Sequence, residues 1–409
     1  MTERGDFRWL FIHRFDTSLT LRELLRRNKN FRFISWALAL SLFGDWVGLL
    51  AIFSLLGGGN PATEFSILLV LKQLPIILFS SIGGKLADTY SRRKLMIASD
   101  IVRSLLVATL ILNQSTVWIY TVVFLQSTFS SVFEPARGAI IPRLVPGDSL
   151  GKANGVGAFI WSSMLILGSS LGGVILEGVG VIGCILIDSI SYLFSGFFVS
   201  KLNDNEFYPL PEKNDAQAVK INSPRLLTII SIKGVYGFGA AMYLILAVLG
   251  AEKFTMGSSG TLGISVLYSC RGLGALMGPI LSLRLFGDKN HQRIILLGLL
   301  VMGLGYFGIS VSDSLVLVGL ATVMAHMGGS TLWVYSTTLL QREASDEIRG
   351  RATGAELSGF FFSSTISQIV FGALMGGVII APETAAFSCA LIWWGAALGY
   401  VWLFRRYLR

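Results

Sequence analysis

Five ionisable side chains of this 409-residue chain stand inside long apolar blocks: Asp45, Lys72, Lys233, Arg271 and His326. An ionisable residue deep in lipid costs roughly 2.5–3.5 kcal/mol on insertion scales, so each is a functional hypothesis by default. Asp45 lies near the middle of the first block and Lys72 near the middle of the second. Their similar depth predicts an ion pair, or a shared proton, beside a central cavity; a purely structural ion pair is the alternative. Arg271 falls at the middle of the eighth block and cannot lose its charge. His326, at the middle of the tenth, reads first as a hydrogen-bonded interior histidine and second as a proton carrier.

The elements that must position these groups follow from composition. Hydrophobic residues make up 53% and charged residues 14%, against roughly 25% charged in a soluble protein. The apolar residues form blocks near the roughly twenty residues that cross a bilayer. Membrane helices are expected near 31–56, 63–84, 94–112, 116–134, 151–176, 180–200, 224–250, 259–284, 292–312, 314–340, 351–380 and 384–404. The first block has no small-residue cleavage site and reads as a retained signal anchor. The chain is therefore an all-α polytopic membrane protein.

The net charge of +9 sets orientation. Basic residues recur in every second connection: Lys85, Arg92, Arg93 and Lys94; Arg137, Arg143 and Lys152; Arg284, Lys289 and Arg293; Arg342, Arg349 and Arg351. The opposite connections hold one, Lys253. By the positive-inside rule both termini are cytoplasmic, with six helices per half. The same pattern excludes nucleic acid as a partner. Residues 1–30 read as a cytoplasmic basic arm, with Thr20 to Glu23 at capping-box spacing, lying on the inner leaflet or simply flanking the first helix. Residues 31–200 form one half, 201–223 a solvated cytoplasmic linker, 224–404 the other half and 405–409 a cytoplasmic tail. Gly172-Gly173-Val174-Ile175 recurs as Gly376-Gly377-Val378-Ile379 in the fifth helix of each half, as parallel repeats would have it. Glycines at spacing four inside these blocks predict close helix packing. Cys184, Cys270 and Cys389 lack metal-ligand spacing and read as small core residues.

After the second helix comes Gly83-Gly84-Lys85-Leu86-Ala87-Asp88-Thr89-Tyr90-Ser91-Arg92-Arg93-Lys94. An acid at a helix end can hold the positive N-terminus of a facing helix, with the arginines completing a latch and Gly84 permitting close contact. The segment resembles the signature of the major facilitator superfamily, with Thr89 and Ser91 in place of the usual Arg and Gly. Asp100-Ile101-Val102-Arg103, the run from Phe133 to Val145 containing Glu134 and Arg137, Ala153-Asn154, the run from Ile187 to Tyr192 and Arg271 to Ala275 resemble one branch. That branch holds enterobactin-type siderophore exporters, macrolide efflux proteins and lysophospholipid transporters.

The resemblance, over about residues 28–404, implies two pseudo-symmetric six-helix halves around a cavity lined by helices 1, 2, 4, 5, 7, 8, 10 and 11. On that arrangement Lys233, Arg271 and His326 make an electropositive wall suited to an anionic group. Asp100, Arg103, Glu134 and Arg137 join Asp88, Arg92 and Arg93 in a cytoplasmic latch, and Glu356 lies near that gate. Trp161, Tyr236 and Trp333 are candidate lining aromatics.

The function expected is secondary transport by alternating access: proton-coupled export of a siderophore-like or drug-like amphiphile, with Asp45 as proton carrier. The alternative is a lysophospholipid transporter needing no proton gradient. A monomer in a bacterial cytoplasmic membrane, without cofactor or metal, completes the expectation. Gly257-Ser258-Ser259-Gly260 resembles the serine motif of rhomboid proteases, a remote third reading that twelve helices and an external loop argue against. No HExxH, P-loop or nucleotide fingerprint is present, so neither an enzyme nor an ATP-driven pump is expected.

Overall fold

A computed structural model describes residues 24–26, 28–145, 149–203, 223–286, 290–344 and 346–403. The proposed capping box at 20–23, linker residues 204–222 and the tail lie outside them. Among the described residues all regular structure is helical, because a backbone crossing lipid must satisfy its own hydrogen bonds.

The first half contains α1 (Lys29–Leu56), α2 (Pro61–Thr89), α3 (Arg92–Ala108, tightening into a 3-10 turn at Thr109–Ile111) and α4 (Thr116–Leu144). It ends with Leu150–Ser200, which is interrupted at Gly180. Gly180 has φ 71° and ψ −179°, a backbone region essentially closed to residues with a Cβ. The two arms, α5 (150–179) and α6 (181–200), fold back on each other. Both lie against the same stretch of α1, since Gly168 and Gly172 meet Trp46 and Val47 while Gly44 and Gly48 meet Ser191 and Asp188.

The second half contains α7 (Pro224–Glu252), interrupted by a 3-10 turn at Gly239–Ala241. It continues with α8 (Leu262–Phe286), α9 (His291–Ser310), α10 (Leu315–Glu343), α11 (Asp346–Gly376) and α12 (Pro382–Leu403). Ten of these helices are long and apolar enough to cross a membrane, the doubled Leu150–Ser200 counting as one. Splitting it and adding α3 makes twelve passes, six per half.

The helices outrun the apolar blocks. α2 continues through Asp88 to Thr89 instead of stopping near 84, and α4 continues through Pro135 and Pro142 to Leu144 instead of stopping near 134. Hydropathy marks the thickness of the lipid, whereas a helix ends where its hydrogen bonds do. The segment from Phe133 to Leu144 is thus helix, not loop. At the other extreme, α11 closes at Gly376, so Gly377-Val378-Ile379 of the repeat lies beyond it, with Val378 at φ 55°.

The halves meet through α5 on α8 and α11 on α2. Gly173 faces Ser265, Gly272 faces Ile166, Gly372 faces Ser66 and Gly376 faces Thr63. These two pairs exchange when the halves are swapped, which is the pseudo-symmetry stated as contacts. At the end carrying turns 57–60 and 253–261 the halves are also hydrogen-bonded together. Ser66 Oγ donates to Gln368 O at 2.8 Å, Asn60 Nδ2 to Gly376 O at 2.9 Å and Ser54 Oγ to Ser259 O at 3.3 Å. At the basic end Asn28 bonds to Leu144 O, Asn30 with Asn203, and Arg225 to Glu343 at 2.6 Å, each bond lying within one half. Gly138, Gly151, Gly155, Gly157 and Gly354 there have nothing within 4 Å of an added Cβ. One end is closed and the other open.

Candidate functional site

The central polar groups fall into two clusters, one per half. In the first, α1 presents Asp45, half-buried. Its Oδ1 accepts from Tyr192 Oη of α6 and, at 3.4 Å, from Gln126 Nε2 of α4. Gln126 Nε2 also donates to Tyr192 Oη at 2.5 Å. The far face of the Tyr192 ring carries Arg103 of α3, whose guanidinium lies 4.5 Å from the Tyr192 centroid and 4.5 Å from that of Phe133. Arg103 donates to Asp100, and Asp100 accepts from Ser195 Oγ of α6 at 2.8 Å. Asp45, Tyr192, Arg103 and Asp100 therefore form one connected polar string across three helices, with Gln126 joining it from a fourth. Closely spaced groups in a low-dielectric interior interact strongly, so the string responds as a unit.

Three sequence expectations change here. Among the described residues no ion pair links Asp45 to Lys72, because α1 packs along the two arms of Leu150–Ser200 rather than along α2. Lys72 instead lies within electrostatic reach of Asp188, whose Oδ1 is buried without a hydrogen-bond partner beneath Gly44. Asp100 and Arg103 are buried members of the string rather than latch residues, since about two helical turns of α3 separate them from its start. The string also recruits Gln126, Tyr192 and Ser195, which sequence reasoning did not select. A usable signal existed: Asp188, Tyr192 and Ser195 stand at i, i+4 and i+7, one face of α6.

In the second half, Lys233 Nζ of α7 donates to Glu356 Oε2 of α11 at 2.8 Å and to Thr337 Oγ1 of α10 at 2.7 Å. The ammonium lies 4.2 Å from the Trp333 ring centroid, and both charged side chains are buried, 2% and 0% exposed. Glu356 thus belongs to the interior rather than to the gate; it sits some ten residues into α11. Its charge cancels that of Lys233, which removes Lys233 from the expected electropositive wall. Tyr236 packs with Trp333, Phe360 and Trp393 at centroid distances of 5.7–5.9 Å. Arg271 stacks on Tyr243 at 3.7 Å and stands 5.7 Å from Trp161 of the first half. His326 is buried beside Tyr306, ring centroids 6.4 Å apart.

At the open end, Asp88 is 69% exposed and reaches Arg92 at 3.7 Å. Arg92 also donates to Ala87 O at 3.2 Å and to Ala139 O at 3.0 Å, and Arg93 donates to Ser200 O. These arginines tie the loop to α4 and α6 of their own half. Ser91, standing where the signature has Gly, caps α3 through Lys94 N at 3.5 Å. Glu134 and Arg137 pair along α4 at 2.6 Å. The close glycine contact belongs to Gly83, not Gly84: an added Cβ on Gly83 would fall 2.1 Å from Ser131 O, whereas Gly84 faces open space.

At the closed end, Glu177 crosses between halves. Its carboxylate accepts from Ser258 N at 2.8 Å and Ser258 Oγ at 2.6 Å, and from Ser259 N at 3.0 Å and Ser259 Oγ at 2.5 Å. Gly257 and Gly260, at φ 78° and 70°, give the loop the left-handed corners that aim both amides at one carboxylate. Hydroxyl bonds from Ser258 and Ser259, then the two amide bonds, pull the acid down to about 2. Both serine hydroxyls are committed to Glu177, which leaves the rhomboid-like reading without a serine–histidine pair. Among the described residues no cluster of three or more His, Cys, Asp or Glu could hold a metal.

A family model described as Major Facilitator Superfamily matches residues 33–367. An uncharacterized MFS-type transporter of Bacillus subtilis, YfiS, is 30% identical over 55% of this chain and 52% of its own, so the chain spans about half the length of that relative. A putative bacilysin exporter of Bacillus subtilis, BacE, is 23% identical over 86% and 90%, and a PmrA-type multi-drug resistance efflux pump homolog of Lactococcus lactis is 25% identical over 86% and 88%. Among solved structures, the POT family transporter PepTSo superposes with a TM-score of 0.75 at 12% identity, covering 93% and 98% of the two chains. A bacterial homolog of the human lysosomal transporter Spinster, inward-facing and unoccupied, gives 0.69 at 14% identity, covering 93% and 98%.

Proposed function

This chain belongs to the Major Facilitator Superfamily, and from that premise we propose that it exports an amphipathic small molecule by alternating access, driven by protons moving inward. It works as a monomer in the cytoplasmic membrane of a bacterium, with the basic end and both termini in the cytoplasm. On that orientation the open end faces the cytoplasm, and the conformation is the one that loads substrate from inside. The relatives named as a bacilysin exporter and a multi-drug efflux pump favour the outward direction.

One observation carries the proton coupling: Asp45 is a half-buried carboxylate in mid-membrane whose hydrogen bonds, among the described residues, come from the neutral donors Tyr192 and Gln126. A carboxylate paired with a fixed cation stays charged; one held by neutral donors can take up and release a proton as its surroundings rearrange. Substrate occupies the space between the two clusters, and its exit requires the Glu177 clamp to open while the basic end closes around Asp88.

The test is proteoliposome transport of a panel of anionic, neutral and cationic fluorescent amphiphiles under an imposed pH gradient. Asp45→Asn is expected to abolish gradient-driven movement while the protein elutes as a normal monomer in size exclusion. The second reading, lysophospholipid movement, is favoured by the apolar cleft of about 270 Å³ between α2 and α11 lined by Ile67, Val70, Leu71 and Ile369. Gradient-independent movement of a fluorescent lysophospholipid, unaffected by Asp45→Asn, would establish that reading and remove the first.

A further inference from the structure

Among the described residues each fully buried cation in the centre has an acid beside it, with one exception. Arg103 has Asp100 and Lys233 has Glu356. Arg271 of α8 is only 3% exposed, yet among the described residues it makes neither an ion pair nor a hydrogen bond, and its Nε and Nη1 are buried without a partner. Arginine keeps its proton under all conditions a cell offers, so the charge cannot be avoided by titration. A buried unpaired charge is strongly destabilising, and nothing in the fold compels a cation at this position: the neighbouring Gly272 and Gly274 make the helix contacts, against Ile166 and His326.

Its surroundings point the same way. Tyr243 lies against one face of the guanidinium at 3.7 Å, and Trp161 approaches from α5 of the opposite half at 5.7 Å. Both rings are half-buried. His326 Nε2 and Tyr306 Oη, within electrostatic reach of Arg271, are likewise buried without partners. Four elements of one half and one of the other thus assemble polar groups with no acid among them, flanked by aromatic surface. With Lys233 neutralised by Glu356, Arg271 is, among the described residues, the buried central cation of this half without an acid.

We propose that Arg271 is the recognition site for an anionic group on the transported amphiphile, a carboxylate, sulfonate or phosphate monoanion, with Tyr243 and Trp161 receiving the apolar part beside it. The guanidinium fork offers two parallel donors to such a group. Since Trp161 and Tyr243 belong to different halves, the anion sits at the seam on which alternating access turns. The assignment rests on the transporter reading above, but it concerns binding, which needs no gradient and is measured separately from transport.

Full-length protein purified in detergent is titrated with two amphiphiles of one skeleton, 8-anilino-1-naphthalenesulfonate and the uncharged N-phenyl-1-naphthylamine, and with lysophosphatidylglycerol as a lipid anion. Wild type is expected to prefer the sulfonate over its neutral counterpart. Arg271→Gln should weaken at least one of the two anions by about tenfold or more, the worth of a charged hydrogen bond, and leave the neutral probe unchanged. Which anion responds separates a soluble amphiphile from a lipid headgroup. Arg271→Lys, which keeps the charge, should retain the preference in weaker form. Equal affinity of wild type for charged and neutral probes, a parallel loss for all three in Arg271→Gln, or a Lys variant as indifferent as Gln would overturn the assignment. Loss of gradient-driven transport with anion preference intact would instead count against the coupling mechanism alone.

Discussion

The two halves repeat one helical plan and solve the problem of buried charge in opposite ways. In the first half, charge is spread along a string: Asp45, Tyr192, Arg103 and Asp100 touch in sequence, with Gln126 and Ser195 bridging. In the second half, one pair, Lys233 with Glu356, is closed on itself, and Arg271 stands apart. A string can pass a change in one member to the next, which suits a proton load. A locked pair is rigid and an unpaired cation is receptive, which suits a binding wall. On the proposed function, the duplicated architecture is divided between coupling and recognition.

The contrast predicts unequal tolerance to losing one acid. Glu356→Gln removes the only carboxylate on Lys233 and should cost about 3–5 kcal/mol, the usual consequence of stranding a buried charge. Thermal denaturation of the purified protein checks this, and the double variant Lys233→Met with Glu356→Leu should recover most of the loss. Asp100→Asn should cost less, about 1–3 kcal/mol, because Arg103 keeps its two aromatic faces and Ser130 Oγ at 3.4 Å. If the two variants melt alike, the distinction between string and pair fails.

A smaller effect separates neighbouring residues at the open end. Gly83→Ala forces α2 away from Ser131 of α4 and should cost about 1–3 kcal/mol as overpacking, while Gly84→Ala, facing open space, should leave the melting temperature where it was. The smallest concerns pH at the closed end. An acid held near 2 against an ordinary 4.5 contributes its full stabilisation above 4.5 and loses it as pH falls toward 2. Cross-linking between Thr63→Cys and Gly376→Cys, whose Cβ positions lie 3.3 Å apart, should therefore be constant from pH 7 to 5 and decline only in stronger acid. In Glu177→Ala the yield should be lower throughout and carry no such decline.

The sequence made the helix count and the depth of the charges legible, because lipid imposes both on composition alone. It did not disclose partners. Asp45 and Lys72 are at equal depth on consecutive helices, yet Asp45 turns to α4 and α6, since contact depends on rotation about each helix axis and on which helices are neighbours. Glu356 reads as a gate residue from its place in an apolar block, and only the packing of α7 against α11 brings it to Lys233. Gly83 and Gly84 differ by about 100° of helical rotation, enough to exchange a tight contact for empty space. Tyr192 and Gln126 are ordinary helix residues until Asp45 is seen beside them. The basic loops, by contrast, are legible as one end of the helix bundle from the sequence alone, because charge in alternate connections needs no knowledge of packing.

The break at Gly180 also has a consequence for how the protein is made. Between α5 and α6 there is no polar loop to hold at the bilayer surface while the ribosome extends the chain; Glu177 is the sole ionisable residue near the turn. The two arms are therefore expected to enter the membrane together as a helical hairpin. Replacing Gly180 by a residue with a Cβ would be felt first as a defect in biogenesis, as less protein reaching the membrane, before any change in what the mature protein carries.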